Sequence, residues 1–230
     1  MSINLTGNEF EFEALQQAHN YRRAILRKFA PHLKGATLEV GCGIGQFTQE
    51  LIQAPNITRL TSLEPDATFH AKFKQLHPGT TLMAGTVQDL HDIWDTIVSV
   101  NVLEHIEHDT AELTQFYNLL SPQGALCLFV PAHPGLYSPL DAQLGHFRRY
   151  TKPELTAKLK RAGFHAIHLS FFNPIGYLSW LVMCKWLGAT QLSSTSVRFF
   201  DQLLLPMSSK LEAITHNLFG QSLIAIARKA

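Results

Sequence analysis

Charge is in short supply in this chain. Of its 230 residues only 16% are Asp, Glu, Lys or Arg, and they balance to a formal net charge of +1. No overall field draws the protein to nucleic acid or anionic lipid, so small or neutral partners are favoured. Long apolar runs are missing as well: none reaches the roughly 18 residues of a membrane span. The opening MSINLTGNEFEFEALQQ has neither a basic start nor an apolar core of signal length, and the expectation is a cytoplasmic protein. Cysteine is sparse. Cys42, Cys127 and Cys184 are an odd set without metal-ligand spacing, and two of them fall in apolar strand-like runs, so reduced thiols and no metal are expected. No repeat, low-complexity linker or shift in composition marks a boundary, and the length fits a single domain spanning 1–230.

What the chain does have is regular alternation of helical and strand-like patterns. Residues 9–33 carry Phe12, Leu15, Ala18, Tyr21, Ile25 and Phe29 at three- and four-residue steps, the spacing of an amphipathic helix, so 1–35 reads as an N-terminal helical segment. Seven strand-like runs follow, at 37–41, 59–64, 80–84, 96–101, 125–131, 164–171 and 223–227. Helical patterns at 46–53, 66–76, 109–120 and 152–162 separate the first six. Such alternation builds an α/β, doubly wound and mostly parallel sheet with helices on both faces.

In a sheet of that kind ligands lie beyond the carboxyl ends of the strands, and LEVGCGIG, residues 38–45, sits where the first strand turns into a helix. Gly41, Gly43 and Gly45 permit positive φ and let backbone amides reach a ligand that any Cβ would block. A turn serving only chain reversal is the plainer reading of the glycines. The context is more specific, because the next strand ends in Glu64, placed to accept hydrogen bonds from two ribose hydroxyls. Glu64 as a mere capping charge ahead of Pro65 and Asp66 is the plainer alternative there.

These residues resemble the class I S-adenosylmethionine-dependent methyltransferases, in which E-x-G-x-G-x-G after the first strand cradles the amino acid part of the cofactor. The resemblance spans nearly the whole chain, through SLEPD, AGTVQDL, WDTIVSVNVLEHIEHD and LLSPQGALCLFVPAHP. It implies a Rossmann-like sheet with one antiparallel strand near the C-terminus, and S-adenosyl-L-methionine as cofactor with S-adenosyl-L-homocysteine as product. It also implies that Glu39, Gly41, Cys42, Gly43 and Gly45 surround the methionine portion. Glu64 and Pro65 would meet the ribose, Thr86 and Val87 would flank the adenine, and Asn101 would close the site. Thr86 stands where many relatives place an Asp; a hydroxyl oxygen still accepts from the adenine amino group. A nicotinamide dehydrogenase fits less well, since its G-x-G-x-x-G fingerprint wants glycine or alanine where Gln46 stands. In ubiquinone-type O-methyltransferases a segment related to LEHI, 103–106, is associated with a divalent ion, with an acid three residues before the Glu. Asn101 takes that place here, so Glu104 and His105 read as a structural pair and no metal is expected.

The acceptor side is set by PAHPGLYSPLDAQLGHFRRYTKPEL, 131–155, which carries His133, Tyr137, Asp141, His146, Arg148, Arg149 and Tyr150. Bacterial methyltransferases often encoded with sugar- or lipid-modifying enzymes look similar in this loop. Asp141, Arg148 and Arg149 as a salt-bridged clasp over the cofactor is the structural reading; an acceptor site for a small molecule is the functional one. An oxygen or nitrogen nucleophile must lose a proton, so His133 and His146, ahead of Tyr137, are the candidate catalytic bases. Residues 173–220 form a helical insertion before the last strand, read as a lid over a partly apolar acceptor, with a dimer face or shallow membrane contact as the other uses. The chain is expected to be a monomer or homodimer. A non-catalytic S-adenosylmethionine-binding subunit is the competing function, disfavoured by the intact glycines and Glu64.

Overall fold

The computed structural model describes residues 16–190, 193–215 and 217–230. Seven strands form one sheet in the order β3-β2-β1-β4-β5-β7-β6, where β1 is Gly35–Val40, β2 Ile57–Glu64, β3 Thr81–Ala84, β4 Trp94–Val100, β5 Leu120–Pro131, β6 His165–Phe172 and β7 Ser222–Arg228. β1 through β5 pair in parallel, and β7 runs antiparallel to both β5 and β6. This is the mixed, Rossmann-like architecture anticipated, with one reversed strand. The central strands are apolar without interruption because both their faces are covered. From Gly124 to Pro131 every residue of β5 is buried.

Helix α1, His19–Phe29, and the short α2, Thr48–Leu51, cover one face. Ile25, Phe29, Phe47 and Leu51 pack there with Phe129 and Phe172 of the sheet. Each such fully buried side chain contributes about 1.5 to 3 kcal/mol. On the other face α4, Asp109–Leu119, and α6, Lys152–Arg161, bury Leu113, Phe116, Leu155 and Leu159 against Leu126, Leu128 and Leu223. The remaining helix of the first half is α3, Ala67–Leu76, capped by the Asp66 side chain accepting from Thr68 N–H.

Several boundaries differ from the periodic reading. The N-terminal helix breaks into a 3₁₀ turn at Ala30–His32, because Pro31 has no N–H to extend the ladder. The part of the expected helix before residue 16 lies outside the described residues. α2 is a single turn rather than 46–53, since no side chain caps its start and Pro55 follows its end. The insertion is three helices: α7, Pro174–Trp180, continuing in π-helical turns to Trp186; α8, Ser194–Phe199, with π-helical turns to Leu204; and α9, Leu205–Thr215. The Pro139–Gln143 turn, α5, lies in the histidine loop between β5 and α6.

Two features tie the insertion down. Asn173, in the left-handed region at φ 63°, accepts from Gly176 N–H and Ser208 O–H through Oδ1, and its own N–H donates to Glu212. Its carbonyl accepts from Gln221 N–H and its amide donates to Gln221 Oε1, so the two ends of the insertion meet. Further along, Asp201 accepts from the backbone N–H groups of Asn20 and Tyr21 at 3.0 and 2.8 Å. The start of α1 has no local side-chain cap; the cap comes from the insertion.

Candidate active site

The chain runs outward from β1 to β3 and then returns to β4 on the other side of β1. The carboxyl ends of β1 and β4 therefore face a crevice at the point where strand order reverses. A cavity of about 490 Å³ opens there, between the glycine turn, α1, the histidine loop and the insertion.

The glycine turn is fixed largely by the protein itself. Gly41 sits at φ 69°, and a Cβ on it would lie 2.5 Å from Val102 Cγ2. Gly45, at φ 88°, would drive a Cβ into the His77 ring. These two glycines are demanded by neighbours within the chain. Gly43, at φ 54°, donates its N–H to Glu64 Oε2 at 2.7 Å, while Glu64 Oε1 accepts from Asp66 N–H at 2.9 Å. Burial pushes the Glu64 carboxyl above its ordinary range, and the two amide hydrogen bonds oppose that. A carboxylate offers about four lone-pair sites, so each oxygen retains one. Glu39 is buried at the cavity wall, where its Oε2 accepts from Thr48 O–H and Ser62 O–H; burial raises its carboxyl to about 7.

Gly41, Cys42 and Asn101 line the cavity with Glu39. Asn101, at φ 53°, turns its backbone back through an N–H to Phe129 O bond of 2.9 Å. Gly43, Gly45, Glu64, Pro65, Thr86 and Val87 lie outside the cavity lining. Thr86 is exposed, donating its hydroxyl to Asp89 Oδ2, and Val87 is buried beside it. Asp89 is held below the usual carboxylate range by the Thr86 N–H and hydroxyl.

Of the three candidate bases only His146 faces this space. Its Nδ1 is 2.9 Å from Asp141 Oδ1. Asp141 also accepts from Arg149 Nε at 2.8 Å and from the Ser138 N–H and O–H at 2.9 Å each. Burial opposes ionisation of Asp141, but the His146 bond and Arg149 hold it below the usual range, so it accepts and Nδ1 donates. That leaves His146 Nε2 free of Asp141 and 4.0 Å from Glu104 Oε1. Tyr137 donates its hydroxyl to the His146 carbonyl at 2.6 Å, so it orders the loop backbone. His133, at φ 62°, stacks on Phe171 with ring centroids 4.9 Å apart and meets the edge of Tyr177, away from the cavity lining. Burial lowers its pKa.

The clasp divides in two. Arg149 pairs with Asp141 and lies over the Trp180 ring at 4.5 Å, joining the loop to the insertion. Arg148 instead pairs with Asp109 at 2.8 Å, which also takes Tyr150 O–H and Lys158. Glu104 is the residue that spacing alone undervalued. Its side chain is fully buried, neither oxygen has a hydrogen-bond partner, and burial raises the carboxyl to about 7. The fold supplies what the LEHI segment lacked, a third donor from 42 positions downstream (146 against 104): one ligand-type atom each of Glu104, His105 and His146 falls within 4.8 Å of the others. Tyr21, Arg22 and Ile25 of α1 also reach the cavity, contacts that no local pattern announced.

A methyltransferase domain model matches residues 13–169, more than half of the chain. The chain belongs to the class I S-adenosylmethionine-dependent methyltransferases. A relative from Mycolicibacterium smegmatis described as "Probable S-adenosylmethionine-dependent methyltransferase" is 26% identical over 173 residues, 71% of this chain and 66%, just under two thirds, of its own length. Among solved structures, a SAM-dependent methyltransferase from Archaeoglobus fulgidus aligns with a TM-score of 0.64 and 20% identity, over 96% of this chain and all of its own. Phosphoethanolamine N-methyltransferase 2 of Haemonchus contortus, in complex with S-adenosyl-L-methionine, aligns with a TM-score of 0.63 and 18% identity over 92% of this chain and 52% of its own. At such identities the structural likeness speaks to the fold. S-adenosyl-L-methionine is the cofactor of that family.

Proposed function

We propose that the cavity holds a small, partly apolar acceptor against the methionine end of S-adenosyl-L-methionine, and that the methyl group passes to an O, N or C nucleophile by in-line displacement. The observation that carries this reading is that one cavity is lined by Gly41, Cys42 and Asn101 and also by His146 and Trp180. Glu39, Gly41, Cys42, Gly43, Gly45 and Asn101 surround the amino acid portion. Glu64 and Pro65 would meet the ribose, and Thr86 and Val87 the adenine. The sulfonium already activates the methyl carbon, so alignment in a dry pocket supplies most of the rate. S-adenosyl-L-methionine would supply the methyl group by displacement at its sulfonium, leaving S-adenosyl-L-homocysteine, and His146 Nε2 takes the proton that the nucleophile gives up. Asp141 keeps the Nδ1 proton in place and steadies the imidazolium. His133 and Tyr137 support the loop. Residues 173–220 act as a lid within a single domain, with Trp180 and Cys184 supplying apolar wall.

The test is to incubate the protein and methyl-labelled cofactor with cell extracts, isolate the labelled product, and repeat with His146→Ala. A labelled apolar small molecule whose formation needs His146 supports the reading. Label recovered only in nucleic acid or protein would overturn it.

A further inference from the structure

The insertion carries its polarity the wrong way round for a helix pair that ends at water. Ten of the 14 exposed large apolar side chains among the described residues lie between 173 and 220. On α8 and α9 Phe199, Leu203 and Met207 follow one another at four-residue steps, which places them on one face, and all three are more than half exposed. The opposite face, Asp201, Leu205, Ser208 and Glu212, is buried and mostly polar. Those polar groups are accounted for: Asp201 caps α1, Ser208 donates to Asn173, and Glu212 accepts from Asn173 N–H and pairs with Lys28 at 3.4 Å. At the end of α7 and its π-helical turns Trp186 and Leu187 are each 70% exposed. Charge is sorted in the same sense. Both acids of the segment, Asp201 and Glu212, are buried, whereas its three cations, Lys185, Arg198 and Lys210, are exposed. Soluble surfaces scatter single apolar residues; an apolar face in a segment whose exposed charges are all cations matches the boundary of an anionic bilayer.

We propose that the outer face of residues 173–220 docks the enzyme on the surface of membranes rich in anionic phospholipid. The contact is peripheral, since no helix among the described residues is long and apolar enough to cross a membrane. Trp186, Phe199, Leu203 and Met207 enter the headgroup boundary, and Lys185, Arg198 and Lys210 neutralise phosphates around them. The cavity lies behind this face, walled by Trp180, Cys184 and Phe200 of the same helices. The docking does not depend on the acceptor's identity.

The test is cosedimentation of the full chain with large vesicles of phosphatidylcholine alone, or of phosphatidylcholine with about a third phosphatidylglycerol, at low and high salt. Pelleting with the anionic vesicles, weakened by salt, is expected. Lys185→Gln/Arg198→Gln/Lys210→Gln should lower the partition about tenfold or more. Phe199→Ser/Leu203→Ser/Met207→Ser should reduce it to the phosphatidylcholine level, while thermal stabilisation by S-adenosyl-L-methionine stays as in the parent. Absence of vesicle binding overturns the proposal. So does a dimer in light scattering that the triple-serine variant converts to monomer, which would make the face an interface between copies.

Discussion

The glycine turn and the histidine loop meet at one cavity but are built by opposite means. The turn is backbone: positive φ at Gly41, Gly43 and Gly45, with Glu64 stapling Gly43 N–H to the end of β2. The loop is side chain: Asp141 is buried at the centre of His146, Arg149 and Ser138, and Arg149 reaches on to Trp180. Backbone devices act between neighbours in sequence or in adjacent strands. Buried charge networks act across distance, and each member depends on all the others. The turn should therefore fail locally when changed, through cofactor affinity, and the loop should fail collectively, through stability and turnover together.

The largest effect is expected at the loop's centre. Asp141→Ala leaves the Arg149 guanidinium buried without its partner, and breaking such a pair costs about 3 to 5 kcal/mol. Urea denaturation with and without saturating cofactor measures it; a loss below about 1 kcal/mol would mean that the network is ornamental and the contrast with the turn false. Glu104 sharpens the same side through pH. Its folded carboxyl stands at about 7 against an ordinary 4.5, so the unfolded chain loses this proton first as pH rises. Its contribution is complete below about 4.5 and falls away by up to roughly 3 kcal/mol as pH climbs through 7. Glu104→Gln should therefore gain stability relative to the parent between pH 4.5 and 7 in thermal melts. A constant gap across that range would show that the buried carboxyl is not shifted.

Next comes chemistry. His146→Ala should lower turnover by about a hundredfold or more with cofactor affinity nearly unchanged, whereas His133→Ala, if folded, should fall much less. The imidazole account also expects chelation by EDTA to leave turnover intact. Loss on chelation, restored by a divalent ion, would make Glu104, His105 and His146 a ligand set instead of a base and its neighbours. On the turn, Glu64→Ala should weaken S-adenosyl-L-methionine binding by about 1 to 3 kcal/mol in calorimetry, because ribose contacts and the Gly43 staple go together. A change of a few tenths would leave Glu64 a structural residue only. The smallest effect is at the junction of insertion and α1: Asp201→Ala removes a helix cap worth about 1 kcal/mol, read as a small drop in melting temperature.

The same division explains what could be read from the sequence. All seven strands fall close to where the apolar runs place them, and for the central ones the reason is that a strand covered on both faces has little freedom in composition; β7 and, from Gly124 on, β5 are almost wholly buried. The glycine turn was legible for a related reason, as positive φ narrows the choice of residue. Asp201 was not legible as the cap of α1, because 180 positions separate it from Tyr21 and no local pattern links them. His146 and Glu104 carried the signals of their own segments but not of their meeting. His133 looked equivalent to His146 on spacing, but its ring packs on Phe171 and Tyr177 instead of lining the cavity.

The junction at Asn173 concentrates the insertion's ties to the sheet at one point. One residue's carbonyl and side-chain amide, bonded to Gln221, close the chain just where it leaves β6 and re-enters β7, so the two ends of the insertion stay together beside the sheet. Closure entropy grows slowly, by about 0.6 kcal/mol for each doubling of loop length. A helical cassette of another length or surface can thus be grafted between Asn173 and Gln221 provided it keeps counterparts of Ser208 and Glu212, which hold Asn173, and of Asp201, which caps α1. New acceptors, or new places in the cell to find them, become a matter of exchanging this cassette rather than rebuilding the enzyme.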